Sequence, residues 1–270
     1  MIALLRTELH KATLRLRTYM IFGAAIALPI IIGAAQKTNG PSHDRHANNE
    51  LLSLASRSGV VFPAVVLELM SGFLLLVIVA VFAGDSVAGE AGWGNLRYVL
   101  VRPVGRVRLL ASKLAVSALL AWAVTAVVAA TGLLAGVIFF GWHPLDLPIG
   151  VHQSSMTLLA HLGLATAYVA WSLSAVLAFG LFFSTLTDTA AGAIAAAAGL
   201  AIISQILDAI SSLGVLRDAL PTHYLTAWTP LYTEDRIPRD MATGALVQLG
   251  YLAVFAGAAW WWFRRKDILS

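Results

Sequence analysis

Six runs of mainly apolar residues, each long enough to cross a lipid bilayer, constrain this chain more than any other feature. A helix needs roughly 20 such residues to span the hydrocarbon core. The runs are Thr18–Ala35, Val60–Gly84, Ala111–Gly141, Thr157–Ser184, Thr189–Ile210 and Ala242–Phe263. In lipid, backbone polar groups must be satisfied within the protein, so runs of this length fold as helices. The expected fold is therefore an all-α integral membrane protein with six transmembrane helices. At about 1.5 Å per residue the third run reaches roughly 46 Å, so it tilts or projects beyond the bilayer. Hydrophobic residues make up 59% of the chain and charged residues 12%, which excludes an ordinary soluble domain. The absence of cysteine excludes disulfides and thiolate metal sites. Small residues such as Gly192–Gly199 suit close helix packing in lipid.

Lysine and arginine set the orientation. Arg6, Lys11, Arg15 and Arg17 precede the first span. Arg97, Arg102, Arg106, Arg108 and Lys113 lie between spans two and three, and Arg264, Arg265 and Lys266 follow the last. Six even-numbered crossings put these twelve of the eighteen basic residues on one face. The positive-inside rule makes that face cytoplasmic, with both termini there. The net charge of +4 is read as this bias rather than as a nucleic-acid footprint. The first span is taken as a retained anchor: its apolar run exceeds a signal peptide's, and a whole basic helix precedes it.

The chain reads as one transmembrane domain over 1–270. Residues 1–17 form an amphipathic helix at the cytoplasmic interface, 18–263 the six-span bundle and 264–270 a tail. Ile2, Leu5, Leu9, Ala12 and Leu16 share one face of the first helix, with the basic residues elsewhere. That helix is either a charged anchor or a lever touched by a partner. The segment Gly84–Lys113 is a charged island between two apolar runs. Gly92 and Gly94 break the second span, Asn95 is a good N-cap for a short helix Leu96–Val101, and Arg102-Pro103 ends it. Pro103 then opens the helix that carries Arg106, Arg108 and Lys113 into span three. Asp188 is the expected cap of the fifth span. Between spans five and six, Leu213–Leu220 and the row Tyr224, Trp228, Tyr232 predict one or two short outer interfacial or re-entrant helices. Trp260-Trp261-Trp262 followed by Arg264-Arg265-Lys266 marks the inner interface.

Glu68 is the exceptional residue of the spans. An ionisable group there is costly and faces protein or water. It lines a substrate path, pairs with another helix (His161 being a candidate partner) or stays protonated. Phe62, Met70 and Phe73 share its span and are candidates for the same path, or for plain packing. No metal site is expected, the pair His43 and His46 in an outer segment lacking the context of one.

In layout, the chain resembles the ABC-2 type exporter permeases. In that family the second cytoplasmic loop reads as an acid, a Gly-Thr-Leu or Gly-Thr-Ile step, a base, an apolar stretch, Pro, a base and a later Lys. Here these are Glu90, Gly94-Asn95-Leu96, Arg97, Pro103, Arg106 and Lys113, with Asn95 replacing threonine as an N-cap. The closing Phe263-Arg264-Arg265-Lys266-Asp267 is also similar to the family's end.

The resemblance implies a permease subunit without its own motor. Its loop between spans two and three would be a coupling helix seated in a separate ATP-binding subunit. Two permeases, identical or sister chains, would form the path with two ATPases. Glu90, Asn95, Leu96, Arg97, Arg102 and Pro103 become the coupling residues, while Arg106, Arg108 and Lys113 serve topology. The chain holds no GxxxxGK[ST] phosphate loop, so it is not expected to be an enzyme, and ATP and Mg enter only through the partner. The cargo class that follows from apolar spans is hydrophobic or amphipathic: a drug, lipid or peptide. The location implied is a bacterial cytoplasmic membrane, with lipid the remaining partner. A motor-free secondary transporter and an accessory or sensor protein on the same fold are the competing readings.

Overall fold

The computed structural model describes residues 2–39, 50–55, 58–92, 105–146, 152–233 and 237–265. Among them the regular structure is helical apart from one antiparallel ladder of two-residue strands, Leu145–Asp146 (β1) with His152–Gln153 (β2). The helices are α1 (Ile2–Thr13), α2 (Leu16–Asn39), α3 (Glu50–Ala55), α4 (Phe62–Ser71), α5 (Leu74–Gly92) and α6 (Arg106–Phe140). They continue with α7 (Ser155–Ser172), α8 (Ser174–Leu186), α9 (Ala190–Asp208), α10 (Pro230–Thr233) and α11 (Arg239–Arg265). A 3-10 helix, Ser211–Ala219, lies between α9 and α10. Six helical stretches are long and apolar enough to cross a membrane: Leu16–Thr38, Leu74–Ala91, Val107–Phe140, Ser155–Leu186, Ala190–Asp208 and Arg239–Arg265.

The N-terminal helix is shorter than the sequence predicts. It ends at Thr13, and a turn leads into α2, where the Thr18 hydroxyl donates to the Ala12 carbonyl at 2.6 Å. Leu5, Leu9 and Ala12 pack on the core, but the turn carries Leu16 off that face and leaves it 76% exposed. Within α2, Pro29 has no N–H for the Ala25 carbonyl. Thr131 of α6, whose hydroxyl donates to Val127 at 2.7 Å, lies 3.3 Å from that carbonyl.

The second apolar run is not the single helix Val60–Gly84. A turn over Gly59–Val61 precedes it, and α4 begins with Pro63 in its first turn, where a fixed φ favours initiation. The helix is interrupted at Gly72–Phe73. There Gln205 of α9 donates to the Gly72 carbonyl at 2.5 Å. At its far end α5 runs past Gly84 to Gly92, so the front of the charged island is helix. The fourth run is likewise interrupted at Leu173 (φ −86°, ψ 1°). The freed N–H of Ala175 donates to Gln248 of α11 at 3.1 Å, and the Gln248 amide donates to the Pro221 carbonyl at 2.5 Å. The cap position of α9 is Thr189 rather than Asp188.

Helix α5 is the hub, packed on α8, α9 and α6, while α8 also packs on α11 and α2 on α6. At the other end of the bundle Gly59 crosses Gly136 of α6 so closely that a Cβ on either would strike the other's carbonyl oxygen. Asp208, at the end of α9, accepts from Arg217 at 3.3 Å and lies 2.5 Å from His223 Nδ1, which ties the 3-10 helix and the following turn to the bundle. At the end of α11, Arg264 and Arg265 lie over the rings of Trp260 and Trp261, at 4.9 and 4.1 Å.

Candidate functional site

A cluster of buried charge joins α1, the start of α2, the end of α5 and the start of α6. Its logic begins in α1. Glu8 falls on the face of Leu5, Leu9 and Ala12, so packing that face buries a carboxylate. A buried carboxylate must be paired. Lys113, on the buried face of α6 with Leu109, Leu110 and Val116, supplies the partner. Its ammonium meets Glu8 Oε2 at 3.1 Å and Glu90 Oε2 at 2.8 Å, and donates to the Ser86 carbonyl at 2.7 Å. Two of these contacts are hydrogen bonds, to Glu8 and Ser86, and the third is an ion pair with Glu90. Lys11 closes the group from the rim, 3.0 Å from Glu8 Oε1 and 3.7 Å from Glu90 Oε1. Lys113 is 4% exposed and Glu8 and Glu90 7% each. Burial pushes the Glu8 carboxyl up; Lys113, helped by Lys11, more than offsets this and holds it below its usual range.

One turn before Glu90, Asp85 takes up both Arg15 and Arg17 through the same oxygen, Oδ2. Gly89 leaves the space that the Asp85 carboxylate occupies: a Cβ there would stand 2.5 Å from Oδ1. These pairings neutralise both acids of α5, which explains why the helix continues beyond Gly84. Uncharged side chains hold the same turns from other sides. Ser184 of α8 accepts from the backbone N–H of Val87 and Ala88, at 2.9 and 2.8 Å, and Ser117 of α6 donates to the Phe82 carbonyl at 3.0 Å. The first helix and the facing ends of the second and third spans thus form one tied unit.

The sequence-predicted site residues fare differently. Asn95, Leu96, Arg97, Arg102 and Pro103 lie outside the described residues. Glu90 is not presented outward for a partner; its carboxylate is held inside the chain by Lys113. Lys113, assigned above to topology, is the keystone of the cluster. Phe62 and Met70 are buried, Phe62 with its ring 5.4 Å from that of Phe140, while Phe73 is 61% exposed and Glu68 half-buried. These four therefore do not form a single lining. Glu68 has no ion-pair partner among the described residues, and His161, one candidate partner, packs edge-on to Tyr232 at 5.9 Å.

Sequence reasoning missed Glu8, Lys11, Arg15, Arg17, Asp85 and Lys113 as a group. One signal was available: Glu8 is the only acid before Asp44, and it sits on the apolar face of an amphipathic helix. A carboxylate in that position calls for a buried cation.

Fold and cluster together define a multi-pass α-helical protein by its six bilayer-length apolar helices, with a buried charge cluster at one end of the bundle. The chain belongs to the family described as protein of unknown function DUF2705, which matches residues 49–269. Asp85, Glu90 and Lys113 fall within the matched region; Glu8, Lys11, Arg15 and Arg17 precede it. No curated protein matches the chain.

Proposed function

We propose that this chain is the membrane-spanning permease subunit of an ATP-driven exporter of the ABC-2 type. It works as a pair, moves a hydrophobic or amphipathic cargo and is driven by separate ATP-binding subunits. The observation that carries this reading is the tied charge cluster. The loop motif over 93–104 leaves the chain from the end of α5 and re-enters at the start of α6. Glu90 and Lys113 sit near those two ends and form an ion pair at 2.8 Å. A loop fixed at both roots, with the first helix bonded to the same roots through Glu8, is suited to receive a push and pass it to two spans. Asn95, Leu96, Arg97, Arg102 and Pro103 are then the partner-facing residues, and Glu90 anchors the handle rather than touching the ATPase. The termini and the cluster face the cytoplasm of a bacterial cell.

The competing secondary transporter calls for interrupted helices in corresponding halves, with freed carbonyls available to an ion. Here the interruptions fall in the second and fourth spans, and glutamines from neighbouring spans bond the groups they free. Native mass spectrometry on the tagged chain purified from its own host tests the proposal. A complex of two permeases with two ATP-binding subunits is the expected result. The chain alone, or bound to a protein without a nucleotide-binding fold, overturns it.

A further inference from the structure

The corner between α1 and α2 carries more positive than negative charge. Among the described residues Lys11, Arg15, Arg17 and Lys113 face three carboxylates: Glu8, Asp85 and Glu90. The lysines are taken up by the two glutamates, while both guanidiniums share one oxygen of Asp85. One guanidinium is surplus. Both remain about a third exposed, with side-chain exposures of 36% and 33%. Arg17 Nε is shielded from solvent yet has no hydrogen-bond partner. A small cavity opens between these groups, lined in part by Lys11, Arg15, Arg17, Thr18 and Ser86.

From this corner an apolar stripe runs the length of α2. Leu16, Tyr19, Met20, Ile26, Ile30 and Ile31 are all exposed and recur at helical spacing along one face. At Gly23, on the same face, a Cβ would meet nothing within 4 Å. Surplus cation at the point where a span begins, above a continuous apolar track, matches the shape and charge of one phospholipid. We propose that this corner binds an anionic phospholipid, its phosphate held by Arg15 and Arg17 and an acyl chain laid along the α2 stripe. A second copy of the chain packed on the stripe would cover the track but leave the extra guanidinium uncompensated; an anionic headgroup satisfies both. The unpaired charge selects against zwitterionic lipids. The proposal needs only that α2 crosses a bilayer, and is independent of the exporter reading.

The test is native mass spectrometry of the purified full chain in neutral detergent, titrated with phosphatidylglycerol or phosphatidylcholine. Arg17→Gln leaves the Arg15–Asp85 pair intact, and Arg15→Gln leaves Arg17–Asp85. Arg239→Gln, at the opposite end of the bundle, is the control. The expected result is preferential retention of phosphatidylglycerol by the wild type. Either arginine variant should weaken it about fivefold, the share of one basic residue near a charged lipid surface. Phosphatidylcholine retention and the Arg239→Gln variant should be unchanged. Equal retention of the two lipids by the wild type overturns the proposal, and that comparison needs no variant to fold. Unchanged retention in both arginine variants also overturns it. Competition by soluble glycerol phosphate at matched concentration would assign the site to free phosphate and overturn the lipid reading.

Discussion

Replacing Lys113 by methionine should be among the most destabilising single changes at this end of the bundle. Methionine fills a similar volume, so the packing of α6 is little altered and the loss is electrostatic. Among the described residues Glu8 and Glu90, both nearly inaccessible, would then share only Lys11, which sits on the rim with 44% of its side chain exposed. The Ser86 carbonyl would lose its donor as well. Removing one partner of a buried ion pair costs about 3–5 kcal/mol, because a charge is left buried and uncompensated. Two carboxylates depend on this ammonium, which places the expected loss at the upper part of that range. The three groups are 4–8% exposed, so solvent screening does not discount the figure. At about 4–5 kcal/mol, for a chain of this size, the loss corresponds to a fall of roughly 8–20 °C in midpoint. Tryptophan fluorescence during thermal unfolding in detergent reads it directly. The companion variant is the triple change Glu8→Gln, Glu90→Gln, Lys113→Met. It removes the stranded charges and should recover most of the loss. A Lys113→Met midpoint within about 2 °C of wild type would refute the reasoning, since it would mean that the cluster is wet or unformed. So would a triple variant as unstable as the single one.

Three further outcomes follow from the geometry. Because Glu8 binds its proton more weakly when folded than at its usual 4.5, the unfolded chain takes up more protons as the pH falls. Its contribution is therefore complete above about pH 4.5 and is lost as the pH drops through the folded value; Glu8→Gln should flatten that part of the midpoint-versus-pH curve. Gln248→Leu orphans the Ala175 N–H and the Pro221 carbonyl, at about 1–3 kcal/mol for each group, and hydrogen exchange should show faster exchange at Ala175. Gly136→Val drives a side chain into the Gly59 backbone, which cannot move aside as a flexible side chain would. It should lower the unfolding midpoint by more than the 1–3 kcal/mol typical of overpacked cores, whereas Gly23→Val, facing open space, should leave it unchanged.

The helical fold and the number of bilayer-length segments were legible in the sequence because lipid leaves a chain few choices: long apolar runs must be helices. What was not legible depends on contacts between distant residues. The run over 60–84 reads as uninterrupted, since Gly72 and Phe73 are ordinary residues of membrane helices; the interruption becomes tolerable only because Gln205, far along the chain, reaches the Gly72 carbonyl. The end of α5 at Gly92 was legible, because Gly92 and Gly94 read as its break. What was not legible is how Asp85 and Glu90 are accommodated within it, by pairing with Arg15, Arg17 and Lys113. Lys113 itself was assigned to topology, because a basic residue at a span end satisfies the positive-inside rule whether or not it has a partner. Glu8 was the one member whose position alone announced a buried pair.

These corrections share a physical cause. Helix α2 carries a proline, and the second and fourth spans carry interruptions; each leaves backbone groups that the apolar surroundings cannot satisfy. A polar side chain on another span lies at each one: Thr131 at Ala25, Gln205 at Gly72 and Gln248 at Ala175. The second span is thereby joined to the fifth at Gln205, and the fourth to the sixth at Gln248. Gln248 also grips Pro221, in the segment that follows the 3-10 helix, so the bend in the fourth span and the position of that segment share one side chain. At the other end of the bundle the charge cluster joins the first helix to the second and third spans. Helix α5 is therefore held at both ends by side chains from other segments: at its last turns by Lys113 of α6 and by Arg15 and Arg17, and at the interruption before its first turn by Gln205 of α9.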